Sequence, residues 1–376
     1  MARLRRAVRE VHLWLGLSLG ALLVLAGLTG SMLVYYDGWL HPGQAAAGQA
    51  DLASYDRAMV TLRHSFPDKH GPWRLEVTGR PGPIPTRYYN PPETEGRAFA
   101  PMLVWLAPDG GRVLRRDFWG DTAMTWIYDL HYQLLLGKAG ETVFGYAGIV
   151  LLILLASGVW AWWPRGSWAK ALRFKRAAVS SRRLRDIHKL AGLAAAPLLL
   201  VLAATGVMLA LPDETGLALK PLLGPSAPTP TFRSRASSGR QIAPSAAIAA
   251  ARAQWPDARL AWVEVPATGG GAFRLRLQRP GDPSRRFPHS YLWIDQHDGR
   301  IVGAFDAVAQ GTATTVGNWL HPLHDASAGG TVLRLLTVLC GLAPLVLFVT
   351  GIWRWRSRAR QAGRNRKGCA PRSAPT

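Results

Sequence analysis

Four long apolar runs limit what this chain of 376 residues can become. They lie at about 13–36 (LWLGLSLGALLVLAGLTGSMLVYY), 143–163 (VFGYAGIVLLILLASGVWAWW), 190–211 (LAGLAAAPLLLVLAATGVMLAL) and 332–353 (VLRLLTVLCGLAPLVLFVTGIW). Each supplies the ~20 residues a helix needs to cross a bilayer, and Arg334, near one end, is the one charge inside them. A buried core helix can look like one such run, but four with clean flanks predict four transmembrane helices. The first run has an apolar core too long for a signal peptide, and the small residues of GQAAAGQA come late, so it reads as an uncleaved anchor.

The formal charge of +22 raises the question of nucleic acid, and its placement answers it. Lys and Arg crowd residues 1–9, 165–189 and 354–376, which are the N-terminus, the connection between the second and third runs, and the C-terminus. Positive loops stay in the cytoplasm. The basic excess is therefore a topology signal, with some attraction to anionic membrane lipid, and no aromatic-basic motif for nucleic acid accompanies it. The expected plan is a span with its basic terminus over 1–36, an external segment 37–142, a span 143–164, a cytoplasmic loop 165–189 and a span 190–211. A second external segment 212–331, a span 332–354 and a cytoplasmic tail 355–376 follow. Cys340 falls in the fourth run and Cys369 in the tail, so no disulfide staples the external segments.

The chain reads as if written twice. HLWLGLSLGALLVLAGLTGSML from His12 and HKLAGLAAAPLLLVLAATGVML from His188 align at an offset of 176, and Thr-Gly stands 17 residues after the histidine in each. LHYQLLLG from Leu130 and LHDASAGG from Leu323 align at an offset of 193, matching His131 with His324, Gly137 with Gly330, Gly148 with Gly341 and Ser157-Gly158 with Thr350-Gly351. LVWLAPDGGRV at 103–113 resembles YLWIDQHDGRI at 291–301. Alternating apolar residues around Asp-Gly predict strands joined by a turn. Matches in the same order predict duplication, with two external α+β domains and a Pro/Ser-rich linker at 212–240. Parallel repeats are commonly related by an axis along the membrane normal, which would bring equivalent residues face to face.

That symmetry pairs histidines. His12 and His188 lie at the cytoplasmic ends of their runs, His131 and His324 just before theirs on the external side. A lone histidine at a helix end more often anchors at the interface than binds a metal. Two imidazoles across a bundle interior are nonetheless what a six-coordinate haem iron needs as axial ligands. The Thr/Ser-Gly pairs would give the macrocycle room. Zinc would need a fuller ligand shell, for which only Glu141 and Asp325 lie near. His321, three residues before His324 in HPLH, could ligate in its place. His41, in the echoing GWLHPG, is a secondary candidate or a turn residue. His64, His70, His289 and His297 read as solvated loop or strand-edge residues. Trp126, Trp160, Trp162, Trp163, Trp319, Trp353 and Trp355 read mainly as an interfacial belt.

The motifs HxxxGL…TG, LHxxLLLG…SGxWxWW and HPLH…TGxWxW together resemble the PepSY-associated transmembrane family. These are iron-regulated inner-membrane proteins that include reductases for ferric siderophores. The resemblance spans nearly the whole chain. It implies four helices carrying two periplasmic PepSY domains and two b-type haems. Their ligands would be His12 with His188 inside and His131 with His324 outside. It also implies a ferric siderophore or related iron chelate as electron acceptor. Arg74, Arg87, Arg274 and Arg276 could attract such an anion. No GxGxxG follows a strand, and the glycines 269–271 read as a hairpin loop. The donor is thus expected to be a separate molecule, a quinol or a cytoplasmic reductase. Two other readings are a PepSY sensor or binding protein without redox chemistry, and a siderophore transporter. The second is weakened by the lack of intramembrane charge.

Overall fold

We describe the chain from a computed structural model that covers residues 2–36, 48–164, 166–174, 180–234, 239–267 and 270–368. His41, Gly269 and Cys369 lie outside the described residues. Among those described, four helices are long and apolar enough to cross a membrane. Three are continuous: α1 (Ala2–Leu33), α4 (Gly137–Trp162) and α6 (Ser180–Ala210). The fourth is broken, with α10 (Gly330–Gly341) handing over to α11 (Ala343–Gly368). The break has a local cause. Pro344 has no N–H to give the carbonyl of Cys340, and Leu342 N–H closes a tighter turn on Leu339 O at 3.2 Å.

The four form a bundle in which α1 and α6 each pack against α4, α10 and α11, so α1 and α6 occupy opposite corners. Glycines set the closest approaches. A Cβ on Gly27 would lie 2.3 Å from Gly341 O, and Ser31 Oγ donates across the same crossing to Val338 O at 3.0 Å. Small residues and such hydroxyl bridges replace the hydrophobic effect as the glue between helices in lipid.

At one end of the bundle stands a sheet. Its strands are β1 (Trp73–Glu76), β2 (Ile84–Tyr88), β3 (Met102–Leu106), β4 (Val113–Phe118), β5 (Arg259–Val265), β6 (Phe273–Gln278), β7 (Ser290–Ile294) and β8 (Ile301–Phe305). The order is β4-β3-β2-β1-β5-β6-β7-β8, with every neighbouring pair antiparallel. The two external segments thus build one sheet, not two separate ones. Joining β1 to β5 removes the edge each half would otherwise expose. One face of the sheet carries α2 (Leu52–Ser65) and α8 (Pro244–Gln254), and a single core runs through both halves, from Leu62, Leu75 and Val104 to Ile248, Leu275 and Leu292.

The other face looks toward the bundle. There Leu103 and Trp105 pack with Tyr36, just past α1, and with Trp119. Two short helices lie between sheet and bundle, α3 (Ala123–Gln133) and α9 (Thr312–His324). Each is followed by left-handed residues before its membrane helix begins: Leu134, Leu135 and Gly137 after α3, Ala326 and Gly330 after α9. Two expectations need correction. The stretch 212–240 is not a plain linker, because Pro212–Leu223 forms helix α7 and Phe232 packs against Trp293, filling the space a side chain on Gly303 would take. The connection 165–189 is not all loop. It holds the short helix α5 (Trp168–Leu172) and the first turns of α6.

Candidate functional site

Two pairs of histidines meet inside the bundle. His12 on α1 and His188 on α6 face each other across the diagonal, with ring centres 6.3 Å apart and planes at 85°. His131 on α3 and His324 on α9 do the same at the sheet end, at 6.3 Å and 42°. Along α1, the 17 residues from His12 to Thr29, which bonds His131, rise about 26 Å. The two pairs therefore lie near opposite faces of a hydrocarbon layer ~30 Å thick.

Each ring is held by one hydroxyl. His12 Nδ1 meets Ser157 Oγ at 3.1 Å, His188 Nδ1 meets Thr350 Oγ1 at 2.9 Å, His131 Nδ1 meets Thr29 Oγ1 at 2.9 Å, and His324 Nδ1 meets Thr205 Oγ1 at 3.0 Å. The direction of these bonds can be assigned. Every hydroxyl spends its own proton on a carbonyl of its own helix: Ser157 on Leu154, Thr29 on Leu25, Thr205 on Val201 and Thr350 on Val346. The hydroxyl must then accept, and Nδ1–H must donate. The carbonyl three residues before each hydroxyl, that of Leu154, Ala26, Leu347 or Leu202, faces the same nitrogen. All four rings thus carry their proton on Nδ1. Each Nε2 lone pair is left without a hydrogen bond among the described residues. A neutral imidazole fixed through one nitrogen presents the other to a metal.

The glycine next to each hydroxyl seats the ring. A Cβ on Gly30 would lie 3.0 Å from His131 Cε1, on Gly158 3.0 Å from His12 Cε1, and on Gly206 3.0 Å from His324 Cε1, whereas Gly351 leaves 3.8 Å to His188 Cε1. The sequence reading gave these glycines to the macrocycle, but the space they make is taken by imidazole. The repeated Thr/Ser-Gly dipeptide is a clasp for histidine, and its hydroxyl half is the functional element that motif reading missed. The signal was present, since each dipeptide recurs at a fixed distance from a histidine.

The other histidines separate clearly. His321 is not in the sheet-side pair; its ring packs on Phe287 with centres 5.0 Å apart. His64 and His70 are exposed as expected. His289 and His297 are not simply solvated, because each has a buried Nδ1 with no hydrogen-bond partner among the described residues. Burial lowers His131 to about 3, aided by nearby His324, and lowers His289 to about 4, aided by Arg276 and His321. His324 is also lowered by burial, against the opposing pull of Leu202 O and Asp325. Because His289 is neutral when folded and titrates at its ordinary 6.5 when free, acid favours the unfolded chain. The stability it carries is present above pH ~6.5 and is lost as pH falls toward about 4. His289→Gln is expected to remove at most about 3 kcal/mol of the stability lost between those values, and a pH series of thermal melts shows it as a flatter decline.

The comparison with known proteins bears on the whole chain at once. Residues 9–358 match the family described as the PepSY-associated TM region. The chain belongs to this family. An uncharacterized protein of Pseudomonas aeruginosa is 27% identical over 265 residues, which cover 64% of this chain and 65% of that one, just under two thirds of its length. In this PepSY-associated chain the matched region takes in both histidine pairs and all four clasps.

The donor set fits an iron porphyrin. Two metal–imidazole bonds of about 2 Å each, with about 1 Å from nitrogen to ring centre, place coaxial ligand rings about 6 Å apart. Both pairs show 6.3 Å. Among the described residues no three of His, Cys, Asp and Glu gather as a metal site, so neither pair has the third protein ligand that zinc commonly takes. Glu141 is paired instead with Lys138 at 3.2 Å, and Asp325 Oδ1 accepts from Ser327 N–H. Trp126, Trp160, Trp163, Trp319, Trp353 and Trp355 are exposed on the helices, where an interfacial belt would stand.

Proposed function

We propose that the protein is an internally duplicated, di-haem b-type protein of the bacterial inner membrane that passes electrons outward to a periplasmic ferric siderophore or related iron chelate. The observation that carries the reading is the pair of 6.3 Å histidine contacts in which every Nδ1 meets a clasp hydroxyl. His12 and His188 would hold one haem, His131 and His324 the other. Haem b, when bound, supplies a one-electron Fe(III)/Fe(II) couple. The clasp residues Ser157, Thr350, Thr29 and Thr205 orient the ligand rings and raise their basicity. The crowding of Lys and Arg at both termini and at 165–189 supports a cytoplasmic side there, with the sheet and its PepSY-like halves on the periplasmic side.

At the sheet side one ferric ion takes one electron and leaves as ferrous. Oxygen ligands that grip Fe(III) hold Fe(II) far less well, so the iron is released for uptake. The electron comes from a quinol, which gives two electrons and two protons and leaves as quinone, or from a cytoplasmic reductase. The test starts from purified protein reduced with dithionite and freed of excess reductant. Adding a ferric chelate is expected to re-oxidise the haem bands and to yield one ferrous ion, trapped by a chromogenic ferrous chelator, per electron lost. Re-oxidation without ferrous product, or no re-oxidation by any ferric chelate, contradicts the reading.

A further inference from the structure

The bundle-facing side of the sheet carries an arrangement that stability alone would not select. Arg87, Arg74, Glu264 and Arg274 stand in one row across four neighbouring strands: Arg74 lies directly opposite Arg87 on one side and Glu264 on the other, and Glu264 lies opposite Arg274. Arg276 lies opposite Tyr291 one step along the strand. Like charges directly opposite in a sheet destabilise it. A single carboxylate serves the row, since Glu264 binds both Arg74 and Arg274 at 2.8 Å. Arg87 and Arg276 have no ion pair within 4 Å among the described residues, and Asp282 acts on Arg276 only from a distance. Nearby Arg115 and Asp117 neutralise each other, and Glu76 acts on Arg259 at the end of its strand.

The guanidinium groups are propped by aromatic rings. Arg74 lies over Tyr89 at 4.7 Å, Arg87 over Trp262 at 5.2 Å and Trp119 at 5.5 Å, and Arg276 over Tyr291 at 5.1 Å. Arg276 also donates from Nε to the Tyr291 hydroxyl at 3.0 Å, and a planar fork held by ring contact or hydrogen bond is the form in which arginine recognises carboxylate-like anions. The row also stands above the sheet-side histidines. Trp119, under Arg87, donates to Asp129 of α3 at 2.8 Å, two residues from His131. Arg286, whose carbonyl meets Trp262 Nε1 at 3.4 Å, lies over Phe287, and Phe287 packs on His321 of α9, three residues from His324.

We propose that this arginine–aromatic face seats the electron acceptor and selects an iron chelate of net negative charge, built from carboxylate or catecholate oxygens, over a neutral or cationic one. The inference rests on the ferric-chelate reading above, and it is tested by binding alone.

The probes are gallium(III) citrate, an anionic and non-reducible stand-in, and a cationic gallium(III) trihydroxamate. Each is titrated into full-length purified protein and followed by tryptophan fluorescence, since Trp119 and Trp262 lie in the face. The citrate complex is expected to bind at least tenfold tighter, with affinity falling as salt rises. Arg87→Gln with Arg276→Gln is expected to cost tenfold or more, and Arg87→Lys with Arg276→Lys to restore part of it. Both haem bands should stay in place as the control for folding. Equal affinity for the two probes, or affinity untouched by the double glutamine variant, overturns the proposal. Protein that binds gallium citrate yet carries no haem would sink the redox reading and leave this anion site standing.

Discussion

On the proposed di-haem reading, His324→Ala is expected to remove the sheet-side haem and leave the other in place, whereas His321→Ala keeps both. The two residues are one helical turn apart in HPLH, so sequence spacing alone does not choose between them. Geometry does. His324 faces His131, its Nδ1 is held by Thr205 and by Leu202 O at 3.1 Å, and its Nε2 has no hydrogen bond among the described residues. His321 is turned against Phe287. Removing one of two axial ligands leaves iron with half its protein attachment, a larger loss than the 10–100-fold typical of an outer partner. Haem content should fall from about two per chain to about one. Paramagnetic resonance tells which one has gone. The angle between the two axial ring planes sets the anisotropy of a low-spin ferric haem, and near-perpendicular planes give the most anisotropic signal. The His12–His188 pair, at 85°, should keep that signal in His324→Ala, and the 42° pair should lose its own.

Gly206→Val should mimic His324→Ala without touching a ligand. The added carbons would begin 3.0 Å from His324 Cε1, and a packed interior has no slack to absorb them. The ring must leave its clasp, and with it the orientation of Nε2. We expect most of the sheet-side haem to be lost and the opposite haem to remain. Gly351→Ala provides the contrast. Its Cβ would meet His188 Cε1 at an ordinary 3.8 Å, and alanine favours a helix over glycine by up to about 1 kcal/mol. That variant should keep both haems and melt no lower than the parent. Both glycines follow a clasp threonine, so the approach to imidazole is what separates them.

Much of this was legible beforehand, for reasons that can be stated residue by residue. Apolar runs betray membrane helices because charged side chains are costly in lipid, and the repeat offsets pointed to His12 with His188 and His131 with His324. Other features depended on contacts that no pattern of one strand or helix reveals. The union of β1 with β5 joins Trp73 to Val265, residues far apart in the chain and unremarkable in composition. Helix α7 hid in a Pro-rich stretch because Pro212 sits at its first position, where proline is tolerated. His289 read as solvated because its loop is polar, yet the sheet and α9 close over its Nδ1. The clasp glycines were assigned to the wrong ring because a sequence shows that space is needed and not what fills it.

If each histidine pair grips an iron porphyrin, the purified full-length chain, expressed with ample haem and assayed as pyridine haemochrome, should carry b-type haem at about two per chain. A colourless protein would contradict it and leave the helices as anchors for a sensor, and so would a single histidine substitution that removes both haems together.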